Sequence, residues 1–110
     1  MTSSGENGIV AVYVLFGSDA EARRIGREMI ERRLAACVNI LGACHSIYRW
    51  QGAVEEAGEV AAIFKTRADG ADALSAAIRA EHSYDVPAIS ILPVIATQAD
   101  YGEWVGENVD

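Results

Sequence analysis

The sequence predicts a single α+β domain with helices packed on one face of an antiparallel sheet, and three observations carry that expectation. Apolar runs of strand length alternate with two stretches of helical periodicity in the order strand, helix, strand, strand, helix, strand. Two of the strand-like runs, Cys37–Trp50 and 54–67, are each fourteen residues long and meet around Gly52, as the two arms of one long hairpin would. The chain of 110 residues is long enough for one hydrophobic core and too short for two.

Ile9–Phe16 is an unbroken apolar run bounded by Gly8 and Gly17, which reads as a buried strand. Ser18 and Glu21 then have capping-box spacing, in which the hydroxyl accepts from the amide three residues on and the carboxylate reaches back. A helix is expected from there, with Ala22, Ile25, Gly26, Met29, Ile30 and Arg33 at three- and four-residue steps. The same periodicity assigns Glu21, Arg24, Arg27, Glu28, Glu31 and Arg32 to solvent and ends the helix near Arg33 or Leu34. In the second hairpin arm Val60, Ala62 and Phe64, the expected core face, alternate with Glu59, Ala61, Ile63 and Lys65. Gly42 in the first arm marks a bulge or bend.

Asp69 and Gly70 close the return, and Ala71, Leu74, Ala77 and Ile78 give a second amphipathic helix that ends before His82. Pro87 disfavours helical geometry at Val86, so the segment before it is a connection. Residues 88–95 are the expected fourth strand, and Tyr101, Trp104 and Val105 mark a short C-terminal helix. This order is the ferredoxin-like split βαβ arrangement, which leaves the second sheet face bare. Tyr13, Ile63 and Leu92 would lie there, and a bare apolar sheet face marks an interface.

The hairpin is too long for its own globule. At roughly 3.3 Å per residue each arm would run about 46 Å. A domain of this length has a radius of gyration near ~13 Å and a diameter of roughly 34 Å. Both arms carry apolar residues on both faces, so the chain is expected to be one subunit of an oligomer.

Charge and cysteine usage narrow the function classes. Nine basic and 16 acidic residues give a net charge of −7, which argues against nucleic acid and against an anionic membrane surface as partners. No apolar run reaches membrane length. Residues 1–8 are small and polar without a basic or apolar signal region, so the expectation is a disordered start, one domain over 9–110 and a cytoplasmic location. Cys37 and Cys44 lie seven residues apart on one extended arm, on the order of 20 Å from each other and beyond disulfide reach. Reduced thiols fit a cytosolic setting.

Several short motifs, taken together, resemble the CutA, or divalent-cation tolerance, family from Val10 to Trp104. They are Leu34-Ala35-Ala36-Cys37-Val38-Asn39-Ile40, then Ser46, Tyr48, Trp50 and Gly52 at alternate positions, then Glu59 with Lys65-Thr66. His82, Tyr84 and Pro87 follow, then Leu92-Pro93 and the Tyr101 and Trp104 pair. The resemblance implies a ferredoxin-like homotrimer whose hairpins wrap neighbouring subunits, an architecture similar to the PII signalling trimers with their inter-subunit ligand clefts. It also implies tolerance to divalent metals, copper above all. Phe16 stands where some members have a metal-binding Cys, Glu81-His82 stands at the His-rich step, and Ala88 replaces the usual glutamate after the proline.

Each candidate residue has a functional and a structural reading. His82 is the candidate copper ligand, or else a histidine that bonds the last helix carbonyls. His45 and Cys44 are adjacent on a strand and point to opposite faces, which makes joint chelation unfavourable and surface polarity the expectation. Cys37 and Cys44 read as small packing residues. Glu59 and Lys65 share a face about 20 Å apart, too far for a direct pair. Lys65 therefore either binds an anionic ligand in a cleft with Glu59 and Tyr84 or pairs with a carboxylate across a subunit boundary. Tyr48, Trp50 and Trp104 are expected trimer-interface anchors. Without a nucleophile and base at recognisable spacing, a phosphate loop or a metal-ligand cluster, the chain reads as a non-enzyme. The functional expectation is a metal-tolerance trimer that binds copper weakly, against a PII-like sensor of a small anionic ligand or a non-catalytic scaffold.

Overall fold

The computed structural model describes residues 8–110. The expected disordered start falls largely on residues 1–7, outside the described residues. Element order is β1 (Ile9–Phe16), α1 (Asp19–Glu31), β2 (Cys37–Trp50), β3 (Ala53–Arg67), a short 3-10 turn (Ala68–Gly70), α2 (Ala71–Glu81), β4 (Ile89–Pro93) and α3 (Ala99–Glu107). The four strands form one antiparallel sheet in the order β2-β3-β1-β4. This is the ferredoxin-like α+β arrangement that the element order predicts.

The core forms where strand alternation meets helix periodicity. Val10, Val12, Val14 and Phe16 of β1 lie on one face with Ala62 and Phe64 of β3, under Ala22, Ile25 and Met29 of α1 and Leu74 and Ile78 of α2. Phe16 and Phe64 are fully buried and meet with ring centroids 6.4 Å apart. Burying each such side chain stabilises the fold by about 1.5–3 kcal/mol. Thr66, also buried, donates from its hydroxyl to the Leu34 carbonyl at 2.8 Å.

Helix α1 begins with the first half of the capping box, the Glu21 amide donating to the Ser18 hydroxyl at 3.1 Å, while the Glu21 carboxylate reaches back one residue further, to the Gly17 amide. It ends two to three residues earlier than expected. Arg33 adopts φ 59°, the Arg33 amide donates to the Ile30 carbonyl and the Leu34 amide to Met29, which is a Schellman ending with arginine in the usual glycine position. The Arg33 guanidinium then binds the Asp110 carboxylate at 2.7 Å and the Glu107 carbonyl at 2.9 Å, tying α3 to this corner.

Two expectations about the sheet are corrected. The fourth strand spans only Ile89–Pro93, because Pro93 has no amide to continue the ladder. Val94 packs beneath α3 and Ile95 is 82% exposed in the following loop. The second face is not wholly bare, since Val105 and Val109 cover Ile9 and Ala36 at one end. Toward the hairpin that face stays open.

Past Phe16, which pairs with Val60, the hairpin loses its third strand. The register slips at Gly42, whose φ of 105° makes the expected bulge, and residues 44–59 continue as a two-stranded ribbon. Gln51 (φ 50°) and Gly52 (φ 86°) turn its tip in type I′ geometry. The overhang makes the domain 44 Å long against 27 and 22 Å in the other directions.

Candidate functional site

A concavity lies between the ribbon and the connection from α2 to β4. It encloses about 800 Å³ and is walled by His45, Ser46, Ile47, Tyr48, Trp50, Glu55 and Glu59 on one side and Tyr84, Asp85, Val86 and Ala88 on the other, with Leu15 at its base. Strand alternation accounts for Ser46, Tyr48, Trp50, Glu55 and Glu59 of the first wall, though not for His45 and Ile47. In the register Cys44↔Glu59, Ser46↔Ala57, Tyr48↔Glu55 and Trp50↔Ala53, these residues share the sheet face opposite the helices.

A buried network holds the second wall. Glu21, only 8% exposed, accepts from the Gly17 amide at 3.0 Å and, across the fold, from the Ser83 amide at 2.8 Å. Helical periodicity places this residue in solvent; the structure places it inside, because the capping-box carboxylate turns back toward the helix start and meets the residue 82–84 corner there. Burial alone would raise its pKa. Hydrogen bonds from the Ser83 hydroxyl and the Gly17 and Ser83 amides, with His82 nearby, outweigh that and lower it.

His82 caps α2 and lies stacked on Phe16 at 5.2 Å. Its Nδ1 accepts from the Tyr84 amide at 3.0 Å, so the proton belongs on Nε2, which donates to the Leu15 carbonyl at 2.8 Å. The acceptor is a strand carbonyl across the fold. Both ring nitrogens are therefore committed, and among the described residues no group of three His, Cys, Asp or Glu side chains could hold a metal ion. Within one chain these residues do not fit a resident metal.

Tyr84 crosses from this corner to the ribbon. A Cβ on Gly17 would stand 3.3 Å from the Tyr84 ring and hydroxyl, so glycine there leaves the space the phenol needs. Burial, followed by the Glu59 carboxylate close to its hydroxyl, pushes Tyr84 up to about 12. Glu59 and Tyr84, two of the three expected pocket residues, thus meet.

Lys65, the third, does not join them in one chain. It pairs with Cys37 near the other end of the face, and its Nζ lies 5.9 Å from the centre of the Tyr101 ring. The Tyr101 hydroxyl is 3.4 Å from the Cys37 sulfur, and burial and then this contact push Tyr101 up to about 12. Trp104 stacks on Tyr101 at 5.8 Å and keeps 43% of its surface exposed. Tyr48 and Trp50, the other expected interface anchors, are 40% and 45% exposed in the open cleft. Cys37 and Cys44 are both unbridged. His45 turns away from Cys44 to bind Glu56 at 2.7 Å.

Comparison with known proteins bears on this architecture over nearly its whole length. The family model of the CutA1 divalent ion tolerance protein matches residues 10–108. The chain belongs to the CutA1 family. It is 40% identical over 99 residues to a Protein CutA homolog of Xenopus laevis, a match covering 90% of this chain and 66% of the frog protein, so it spans slightly less than two thirds of that relative. A solved CutA1 structure, the divalent cation tolerance protein of Thermus thermophilus, superposes with a TM-score of 0.90 at 38% identity, covering 93% of this chain and 99% of that one. A CutA structure from Archaeoglobus fulgidus, titled a periplasmic divalent cation tolerance protein, superposes with a TM-score of 0.89 at 34% identity, covering 93% and 99%. CutA1 membership makes the overall fold a shared one; Glu55 and Asp85, which also line the cleft, lie in no recognisable sequence spacing.

Proposed function

We propose that this chain acts in tolerance to divalent cations as a non-catalytic, cytoplasmic homotrimer. The observation that carries this reading is the ribbon over residues 44–59. Two strands without a third, with Ile47 and Val54 about two-thirds exposed at 65% and 64%, are at best marginally stable alone, so sister copies are the natural cover. Unbridged Cys37 and Cys44 support the cytoplasmic placement, and among the described residues no helix is long and apolar enough to cross a membrane.

In this reading copper is a weakly held cargo and His82 is a structural residue, since an ion at His82 must displace the bond to Leu15 or to Tyr84. The test is growth of a copper-sensitive bacterial host that lacks its own member of the family. Expression of this chain is expected to raise the Cu(II) concentration tolerated, and Ile47→Asp, which charges the ribbon, is expected to abolish the gain. In the purified protein the heat of Cu(II) binding should persist in His82→Ala. No protection by the wild type would refute the tolerance role, and loss of binding in a folded His82→Ala would make the imidazole a ligand.

A second reading, a PII-like sensor with a small ligand between subunits, is favoured by the cleft itself. In one chain that cleft gathers carboxylates while Lys65 stands outside it, which weighs against an anionic occupant unless a neighbour brings its own Lys65 across. A purely structural scaffold remains the outcome if neither metal nor ligand binds.

A further inference from the structure

We propose that Phe16 closes His82 to metal ions, so that the place where the family resemblance sets metal ligands works in this chain as a clasp between two connections, held by protein groups alone. The resemblance puts a metal-binding Cys of some members at position 16 and a His-rich step at 81–82. Here a fully buried phenylalanine fills the first of these places. Its ring lies over the imidazole of the second, with 5.2 Å between centroids and 9° between planes.

A metal meets an imidazole in the plane of the ring, along a nitrogen lone pair, and a neutral ring has only one such pair to give. It is already taken. Nδ1 accepts from the Tyr84 amide at 3.0 Å, while Nε2 donates to the Leu15 carbonyl at 2.8 Å. An ion could bind only if the ring turned out of one of these bonds. Phe16 opposes that turn, because it covers one imidazole face and sits in a close-packed interior with Phe64 6.4 Å away.

The bonds around this ring join the turn after β1 to the corner after α2. The Glu21 carboxylate accepts from the Gly17 amide at 3.0 Å and the Ser83 amide at 2.8 Å, and the Leu15 amide donates to the Ala88 carbonyl at 3.2 Å. Every partner lies in residues 15–21 or 82–88 of the same chain, and both Phe16 and Glu21 are buried. The clasp is therefore complete within one subunit and owes nothing to a surface that a sister copy would cover. Among the described residues no group of three His, Cys, Asp or Glu side chains offers a metal an alternative.

The experiment uses the full chain in its assembled state, labelled with ¹⁵N, and Zn(II) as a diamagnetic probe. The chain has two histidines, so the ring nitrogens of His82 can be followed separately from those of His45. In the wild type the His82 signals should report the Nε2–H tautomer and stay in place when stoichiometric Zn(II) replaces EDTA, whatever His45 does. Movement of the His82 signals in the wild type would overturn the proposal.

Phe16→Cys removes the stacked ring and supplies a soft ligand. It should raise Zn(II) affinity at His82 at least about tenfold over the wild type. A folded Phe16→Cys protein whose His82 signals ignore Zn(II) would overturn Phe16 as the deciding residue. Phe16→Leu keeps the site apolar and tests the clasp without a thiol: exchange of the Tyr84 amide should quicken about tenfold, and Zn(II) should not restore its protection. Unchanged exchange in that variant would show that the ring does not hold the imidazole, and would overturn the proposal as well. Sedimentation of the same samples confirms that they share one state of assembly. Because the imidazole itself is read and not growth, the result stands apart from the tolerance role.

Discussion

Glu21 joins two places that lie far apart along the chain, the start of α1 and the corner after α2, through a carboxylate that accepts from Gly17 and Ser83. Its loss would free the corner that carries His82 and Tyr84. Glu21→Gln keeps the shape but replaces an ionised acceptor with a neutral one that must turn an NH₂ toward one of two donors; the expected cost is about 2 kcal/mol in urea unfolding. The sign of the pH effect follows from the lowered pKa. The carboxyl's contribution is fully present above its ordinary value of 4.5 and is lost as pH falls through the lower folded value. Wild-type stability should therefore drop on that acid limb, and Glu21→Gln should flatten it. Sequence periodicity misses this residue because it registers only apolar positions, whereas the capping-box spacing of Ser18 and Glu21 held the usable signal. The tautomer of His82 and the commitment of both its nitrogens had no such signal, because Leu15 is 67 residues away along the chain.

At the scale of elements, the hairpin was the most legible part of the sequence. Two fourteen-residue runs around Gly52 predicted its arms to within one residue, since β3 begins at Ala53, and Gly42 predicted the bulge. A Cβ at Gly42 would meet nothing within 4 Å, so the glycine answers to backbone conformation rather than to space. Gly42→Ala should then cost about 1–2 kcal/mol from left-handed strain alone, read in chemical denaturation, and a change below a few tenths would show that the bend does not depend on glycine. The fourth strand was overrun because Val94 and Ile95 extend its apolar pattern while belonging to the loop before α3. Pro93 marked the true end. Apolar runs report that a segment has something to bury; they do not report whether a sheet or a helix end will bury it.

For the whole molecule, the two-layer core is self-contained and the ribbon is not. Assembly and stability should be linked by mass action: the unfolding midpoint should rise with protein concentration, and sedimentation at micromolar concentration should give three chains of 11.8 kDa. Trp50→Asp should shift the distribution toward single chains. A wild type that stays folded and single at that dilution would remove the trimer. The length of the arms is what carries the oligomer expectation from the sequence. Which sister residues would meet Trp50 or Lys65 was not legible, because that depends on how separate chains dock and not on spacing within one.

Because β2 is an edge strand and β3 loses its other neighbour past Val60, a lone copy of the proposed trimer presents unmatched main-chain amides and carbonyls beside Ile47 and Val54 until its siblings arrive. Such an edge invites indiscriminate strand addition. Arg49, Glu55 and Glu56 near its tip, together with the strongly acidic balance of the chain, keep strangers at a distance during that interval. Charge here guards the wait for the right companions.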